Sequence, residues 1–144
     1  MSASRLWKTL AVATAVLCPG SALAQTTTAS PEAAAPDSLV VYFDSGSSAV
    51  RPGDEAVLDQ ASRLYRDGNP IVMIVAGSTD TKGAPELNLL LSQQRASTVL
   101  RGLIARGIPV ERFQIVAKGE TDLSVATPDD VSEERNRRVE ITWR

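Results

Sequence analysis

The sequence predicts an α/β sandwich in which two helices pack on one mixed four-stranded sheet. Short apolar runs rich in β-branched residues recur between turn residues, as strands do. Two longer segments between them place apolar residues at helical spacing instead. The resulting order is strand, helix, strand, helix, strand, strand, with no internal repeat.

The segment before the predicted fold carries export signals. Arg5 and Lys8, the apolar run 10–17 and the small residues at 22–24 are typical of a secretory signal peptide over residues 1–24. Residues 25–38 are rich in Thr, Ala and Pro and predict a flexible leader. Alternatively Cys18 is a lipid-attachment site, although Leu17 stands where a small residue is expected. No apolar run reaches the roughly 20 residues of a membrane-spanning helix, so none is predicted in the mature chain.

The first strand and the first helix open a domain predicted over residues 39–144. The apolar run 39–43 predicts the first strand, which ends at Asp44. Pro52 suits the first turn of a helix, and the turn residues 67–70 end it. Within that helix the apolar residues with helical spacing are Val57, Leu58, Ala61, Leu64 and Tyr65.

The remaining elements follow from the same signals. The continuous apolar run 71–76 predicts a second strand buried on both faces, followed by a polar loop over 78–84. A long helix is expected from about Pro85 to Arg106, with Gly107 as its left-handed terminator. Residues 113–117 and 139–143 predict the last two strands, with a helical turn near 132–136 between them.

Composition excludes several classes of function. The chain has 144 residues, one cysteine and no histidine, which rules out a disulfide framework, a Cys/His zinc site and a Ser-His-Asp triad. Aromatic residues make up 4% and the net charge is -2, so binding of nucleic acid is not expected. No cofactor and no metal site are predicted.

One pair of residues could bind a ligand that carries both charges. Asn88, Ser92 and Arg95 are spaced i, i+4, i+7 and therefore lie on one stripe of the long helix. Asp80 lies in the loop before that helix, so its carboxylate can approach the guanidinium of Arg95. Such a pair matches a ligand with an ammonium and a carboxylate on one carbon. The same spacing equally allows a structural salt bridge that pins the loop to the helix.

The residues around this pair resemble a known family. Residues 77–83 and 88–96 read GSTDTKG and NLLLSQQRA, which closely resemble the signature of OmpA-like C-terminal domains. Further matching pieces are VYFD at 41–44, GE at 119–120 and NRRVE at 136–140. The resemblance covers about residues 39–144, which is nearly all of the mature chain.

This resemblance implies a non-catalytic, exported cell-envelope protein that binds peptidoglycan through the diaminopimelate-type stem peptide. It implies that Asp80 and Arg95 hold the ammonium and carboxylate of that group, and that Thr79 and Asn88 support them. It also implies that Asn136 and Arg137 flank the pocket from the last loop. The expected location is the periplasm, with association to the outer membrane and to another envelope protein left open.

Two departures from the family pattern bear on binding. Ser78 replaces a usual histidine, and Ser132 and Glu133 replace a common Gly-Arg pair, which reverses a charge near the proposed pocket. Arg135 is placed to compensate for Glu133. An alternative is therefore a periplasmic interaction protein that keeps the fold with weak or lost peptidoglycan binding.

A murein hydrolase using Asp80 with Glu86 or Glu120 is the third class of function. The sequence does not place two of these carboxylates at the separation that such catalysis requires. An adjacent Arg95 would also favour the ionised form of Asp80, which hinders general-acid catalysis. The prediction is that the protein is not an enzyme.

Overall fold

The computed structural model describes residues 36–144, which contain four strands and two long helices. In chain order the elements are β1 (Ser38–Tyr42), α1 (Glu55–Gly68), β2 (Met73–Ser78), α2 (Pro85–Ala105), β3 (Phe113–Gly119) and β4 (Arg138–Trp143). Short 3-10 turns occupy Pro52–Asp54, Val110–Arg112 and Glu134–Asn136. The predicted element order is confirmed.

The four strands form one mixed sheet in the order β1-β4-β2-β3. β2 runs parallel to β3, whereas β4 is antiparallel to both β1 and β2. The last strand is thus inserted between the first two, which brings the segment before β4 beside the ends of β1 and β2. This topology assembles the candidate site from distant parts of the chain.

Both helices pack on the same face of this sheet. The core is built from alternate strand residues, including Val41, Val75 and Ile141, together with Leu58 of α1 and Val99 of α2. This arrangement confirms the predicted sandwich of two helices on a mixed sheet.

The start of the second strand is where the prediction was wrong. Ile71 is 79% exposed, and its N–H donates to the carbonyl of Arg144 at 2.8 Å rather than to a neighbouring strand. The strand begins at Met73 and ends at Ser78, and on the face opposite the core Ala76 and Ser78 are buried while Ile74 is half-buried. The expected burial on both faces is therefore found over most of the strand, and the apolar run misplaced only where the strand begins.

The helix boundaries follow the expected backbone signals. Pro85 is the first residue of α2, where its missing N–H has no partner to lose. Gly107 adopts a φ of 92° just beyond the end of α2, a left-handed conformation that favours glycine. Asn69 terminates α1 in the same way, with a φ of 42°.

The predicted signal peptide 1–24, the lipid-attachment alternative at Cys18 and nearly all of the leader 25–38 lie outside the described residues. The domain boundaries therefore remain predictions. Within residues 36–144, no helix is both long and apolar enough to cross a membrane.

Candidate functional site

Asp80 lies just beyond the end of β2 and is only 5% exposed. Its Oδ2 accepts hydrogen bonds from Nη1 of Arg137 at 3.1 Å, from Oγ of Ser132 at 3.3 Å and from the N–H of Glu133 at 3.3 Å. Its Oδ1 makes no hydrogen bond to any described residue and keeps some contact with solvent. One carboxylate oxygen is therefore fixed while the other is free to accept from a ligand.

Arg95 projects from α2 into the protein and is fully buried. Its Nε, Nη1 and Nη2 donate to the carbonyls of Ser47, Ser78 and Asp44 at 2.8, 3.2 and 3.0 Å. The guanidinium lies 5.3 Å from the centre of the Phe43 ring, within range of a cation–π contact. Arg95 thus ties the loop after β1 to the end of β2.

The pKa of Arg95 is lowered to about 10, chiefly by burial, while the neighbouring charge of Asp80 raises it and that of Arg137 lowers it. A group with this pKa remains cationic at neutral pH. The interior beneath Asp80 therefore carries a positive charge whose hydrogen bonds go to backbone oxygens.

The structural salt bridge considered between Asp80 and Arg95 does not form. Among residues 36–144, the ion pair made by Asp80 is with Arg137, which lies 57 positions further along the chain. Spacing along α2 placed Arg95 near the loop correctly. That spacing could not show that Arg137, just before β4, donates to the same carboxylate.

The other members of the α2 stripe also face inward. Asn88 is 5% exposed, and its Nδ2 donates to Oε2 of Glu120 at 2.7 Å. Oγ of the buried Ser92 accepts the N–H of Gly119 at 3.0 Å and donates to the carbonyl of Leu89. These two residues fasten α2 to the end of β3.

Thr79 has an unusual environment. Its N–H donates to the carbonyl of Gly119 at 2.7 Å, but its fully buried Oγ1 has no hydrogen-bond partner among the described residues. Buried hydroxyls are normally paired, so an orphan beside Asp80 points to a polar group that the described chain does not supply.

Asn136 and Arg137 have different roles. The side chain of Asn136 is fully buried and pairs with both the N–H and the carbonyl of Val125, each at 2.8 Å, so it holds the preceding loop in place. Arg137 donates from Nε to the carbonyl of Phe43 at 3.0 Å and from Nη1 to Asp80. Of the two, Arg137 is the one brought to the carboxylate.

The charge reversal at Glu133 is neutralised locally. Its Oε1 accepts from both the backbone N–H and Nε of Arg135 at 3.1 Å, and the hydrogen bond from that side chain lowers the pKa of Glu133. Only the backbone of Glu133 contacts Asp80. The compensation predicted for Arg135 is present as an ion pair.

Thr81 is the residue that sequence reasoning missed. Its Oγ1 donates to the carbonyl of Pro128 at 2.6 Å and accepts the N–H of Val131 at 3.2 Å. Its carbonyl accepts the N–H of Asp130 at 2.9 Å. Thr81 therefore pins the last loop against the Asp80 loop, and no local pattern indicated a contact across about 50 positions.

The described residues contain no group of three side chains arranged to hold a metal ion. The centre that they form is one partly free carboxylate paired with the guanidinium of Arg137, with the buried charge of Arg95 and the buried hydroxyl of Thr79 nearby. Such a centre can bind a ligand that carries both charges.

A family model described as the OmpA family matches residues 42–137. The chain belongs to the OmpA family. The predicted resemblance is thereby confirmed, and every residue of the Asp80 centre falls within the matched range.

Relatives of this OmpA-family chain agree with that assignment. It is 34% identical over 113 residues to a peptidoglycan-associated lipoprotein of Pseudomonas putida, covering 78% of this chain and 67% of that protein. The peptidoglycan-associated lipoprotein structure from Burkholderia pseudomallei matches with a TM-score of 0.68 and 29% identity, covering 74% of this chain and 90% of that one. The cell wall anchor of the T6SS from Pseudomonas aeruginosa matches with a TM-score of 0.61 and 27% identity, covering 74% and 79%.

The chain spans about half to two thirds of the length of the curated relatives that it matches, from 46% to 69%. The similarity therefore concerns the domain that carries Asp80 and not the whole of those proteins.

Proposed function

We propose that this protein binds peptidoglycan without turning it over, and that the Asp80 centre holds the diaminopimelate side chain of the stem peptide. The observation that carries the proposal is that the two carboxylate oxygens of Asp80 differ. Oδ2 accepts three hydrogen bonds, whereas Oδ1 accepts none from the described residues. The names of the relatives, which include peptidoglycan-associated lipoproteins and a cell wall anchor, support the choice of ligand.

The chemistry of the centre fits an ammonium and a carboxylate on one carbon. The free Oδ1 of Asp80 accepts from the ammonium in a charge-assisted hydrogen bond. Arg137 and Arg95 supply positive charge for the carboxylate. Arg95 is fully buried and each of its three nitrogens already donates to a backbone carbonyl, so it acts on the ligand through its charge. The hydroxyl of Thr79 is fully buried, so Thr79 takes a supporting role in the site rather than contacting the ligand.

Asn88 and Asn136 take supporting positions in this proposal. Asn88 orients Glu120 and fastens α2, while Asn136 fixes the loop at Val125. Neither side chain needs to touch the ligand in order to matter for binding.

Hydrolysis is the weaker alternative. It requires two carboxylates in different protonation states on either side of one bond. Glu120 already accepts from Asn88, and Asp80 pairs with the guanidinium of Arg137, so both carboxylates already make contacts within the domain. Release of muropeptides by the wild-type protein would contradict the non-catalytic proposal.

We also propose that the protein is exported to the periplasm by the signal peptide 1–24. Names such as peptidoglycan-associated lipoprotein and outer membrane protein A among the relatives support an envelope location. Association with the outer membrane through a lipid on Cys18 remains the alternative to a free periplasmic form. Mass spectrometry of the mature N-terminus separates the two.

Sedimentation with purified sacculi tests the proposal. Wild type should pellet, and Asp80→Asn should reduce its affinity about tenfold or more, because the ligand loses a charge-assisted partner. Asp67→Asn is the matched control, since it makes the same chemical change at an exposed position near the end of α1. Circular dichroism of each variant checks that the fold is retained.

The opposite outcome favours a different class of protein. Arg137 already pairs with Asp80, so a chain that keeps this pair closed would be an interaction protein without affinity for the wall. Wild type that remains in the supernatant at moderate salt would support that function and contradict peptidoglycan binding.

A further inference from the structure

A polar groove runs along the outer face of α2, away from the Asp80 centre. Its volume is about 410 Å³. One wall is Ser48 from the loop after β1, and the other is a row of α2 side chains, namely Gln93, Gln94, Ser97, Thr98 and Arg101. None of these residues belongs to the Asp80 centre.

The described lining is rich in uncharged hydrogen-bonding groups, with Arg101 as its charged side chain. Two primary amides, two serines and a threonine face the groove, and none of its described lining residues is acidic. The side chains of Gln93 and Gln94 are exposed and make no hydrogen bond to any described residue. Leu90, 55% exposed, adds an apolar surface at the same groove. Amides and hydroxyls beside an apolar side chain suit sugar rings, which present hydroxyls, acetamido groups and C–H faces.

Arg95 links the loop that carries Ser48 to the end of the strand that precedes Asp80. The guanidinium of Arg95 binds the carbonyls of both Ser47 and Ser78, so these two oxygens lie within about 8 Å of each other. Ser47 precedes the groove residue Ser48, and Ser78 lies two residues before Asp80. Diaminopimelate is joined to the glycan by about two stem residues, which span about 7 Å when extended.

We infer that this groove is a subsite for the N-acetylhexosamine backbone of peptidoglycan, occupied when the stem peptide of the same molecule is held at Asp80. The inference rests on the proposed function, since the peptide brings the sugar to the groove. It names the glycan as a second recognised part of the ligand.

Calorimetry with two ligands tests this inference. One ligand is the diaminopimelate tripeptide alone, and the other is the same tripeptide attached to its disaccharide. Wild type should bind the disaccharide form about fivefold more tightly, the gain expected from one or two net hydrogen bonds. The double variant Gln93→Ala/Gln94→Ala should lose this gain and keep its affinity for the free tripeptide. Alanine is a good helix former, so α2 should remain intact.

Gln60→Ala, at an exposed position of α1, is the matched control and should retain the full gain. Equal affinity of wild type for the two ligands, or an unchanged gain in the double variant, would overturn the glycan subsite and leave the stem-peptide site standing. If neither ligand binds to wild type, the proposed function fails and the subsite fails with it.

Discussion

At the residue scale, Arg95 supplies positive charge near Asp80 and also holds two loops together, whereas the sequence predicted a contact with the ligand. The sequence indicated a guanidinium directed at a ligand, whereas the structure places it in the interior with three backbone carbonyls as partners. Its charge can still act on a ligand at Asp80, but its hydrogen bonds also hold two loops. Removing it should therefore damage the fold as well as the site.

We expect Arg95→Ala to lower the free energy of unfolding by about 3 kcal/mol or more, because it removes a fully buried side chain and three hydrogen bonds from a charged group, each worth about 1.5–3 kcal/mol. Urea denaturation followed by circular dichroism measures the change. Arg63→Ala, at an exposed position of α1, should stay within about 0.5 kcal/mol of wild type. A stable Arg95→Ala protein would show that the three carbonyls are satisfied by water instead.

Glu133 contributes to the Asp80 centre only through its backbone N–H. Glu133→Ala keeps that donor, so we expect sacculus pelleting equal to that of wild type or slightly stronger, since one negative charge is removed. The comparison is made at low and moderate salt, because charge effects at exposed positions are screened. A large loss of pelleting would mean that the carboxylate of Glu133 itself contacts the ligand.

At the element scale, the contact between β2 and α2 positions the loop that carries Asp80. A methyl group at Gly77 would lie 2.1 Å from the carbonyl oxygen of Ser92, which is far inside van der Waals contact. The backbone of α2 therefore packs directly on β2 at this position, and only glycine allows it. The sequence predicted that the strand ends before Gly77, whereas it continues to Ser78. A lone glycine does not reveal which element packs against it.

We predict that Gly77→Ala destabilises the domain by about 1–3 kcal/mol or more, as overpacking of a tight contact does. It should also weaken sacculus binding, because the Asp80 loop shifts with the strand. Gly68→Ala provides the contrast, since nothing lies within 4 Å of its added methyl. That variant should match wild type or gain about 0.5–1 kcal/mol. Urea unfolding of both variants tests the pair, and equal stability would contradict the close packing.

Sequence periodicity predicted the elements well and their contacts poorly. The stripe of Ala96, Val99 and Leu103 faces the core as expected, since helical spacing alone decides which side of a helix is apolar. The pairing of Asp80 with Arg137 and the bonds of Thr81 to the last loop join residues about 50 positions apart. Such pairings depend on the insertion of β4 between β1 and β2, which no local pattern encodes.

At the scale of the whole molecule, ion pairs tie the loop after β3 to the sheet. Oδ2 of Asp122 accepts from Nζ of Lys118 at 2.6 Å and lies 3.5 Å from Nη2 of Arg138. The hydrogen bond from Lys118 is the main reason why the pKa of Asp122 is lowered from 3.8. A carboxyl with a lowered pKa stabilises the folded state when ionised, and this contribution disappears as the pH falls.

Asp122→Asn should therefore be less stable than wild type at neutral pH, where the ionised carboxylate contributes fully. The difference should shrink as the pH falls below 3.8, because wild type then becomes protonated as well. Thermal unfolding across a pH series measures the gap. A gap that stays constant down to the lowest pH would contradict an electrostatic origin.

The central claim is that the proposed site recognises a zwitterion. Oδ1 of Asp80 is available to its ammonium, and the sheet topology brings the guanidinium of Arg137 beside Asp80. The most direct measurement compares two stem tripeptides that differ only in the third residue, diaminopimelate in one and lysine in the other. Lysine keeps the ammonium and lacks the side-chain carboxylate. Calorimetry should show that the diaminopimelate peptide binds wild type about tenfold or more tightly, because only it engages both the carboxylate and the guanidiniums. Equal affinity for the two peptides, or a preference for lysine, would contradict recognition of paired charges at Asp80.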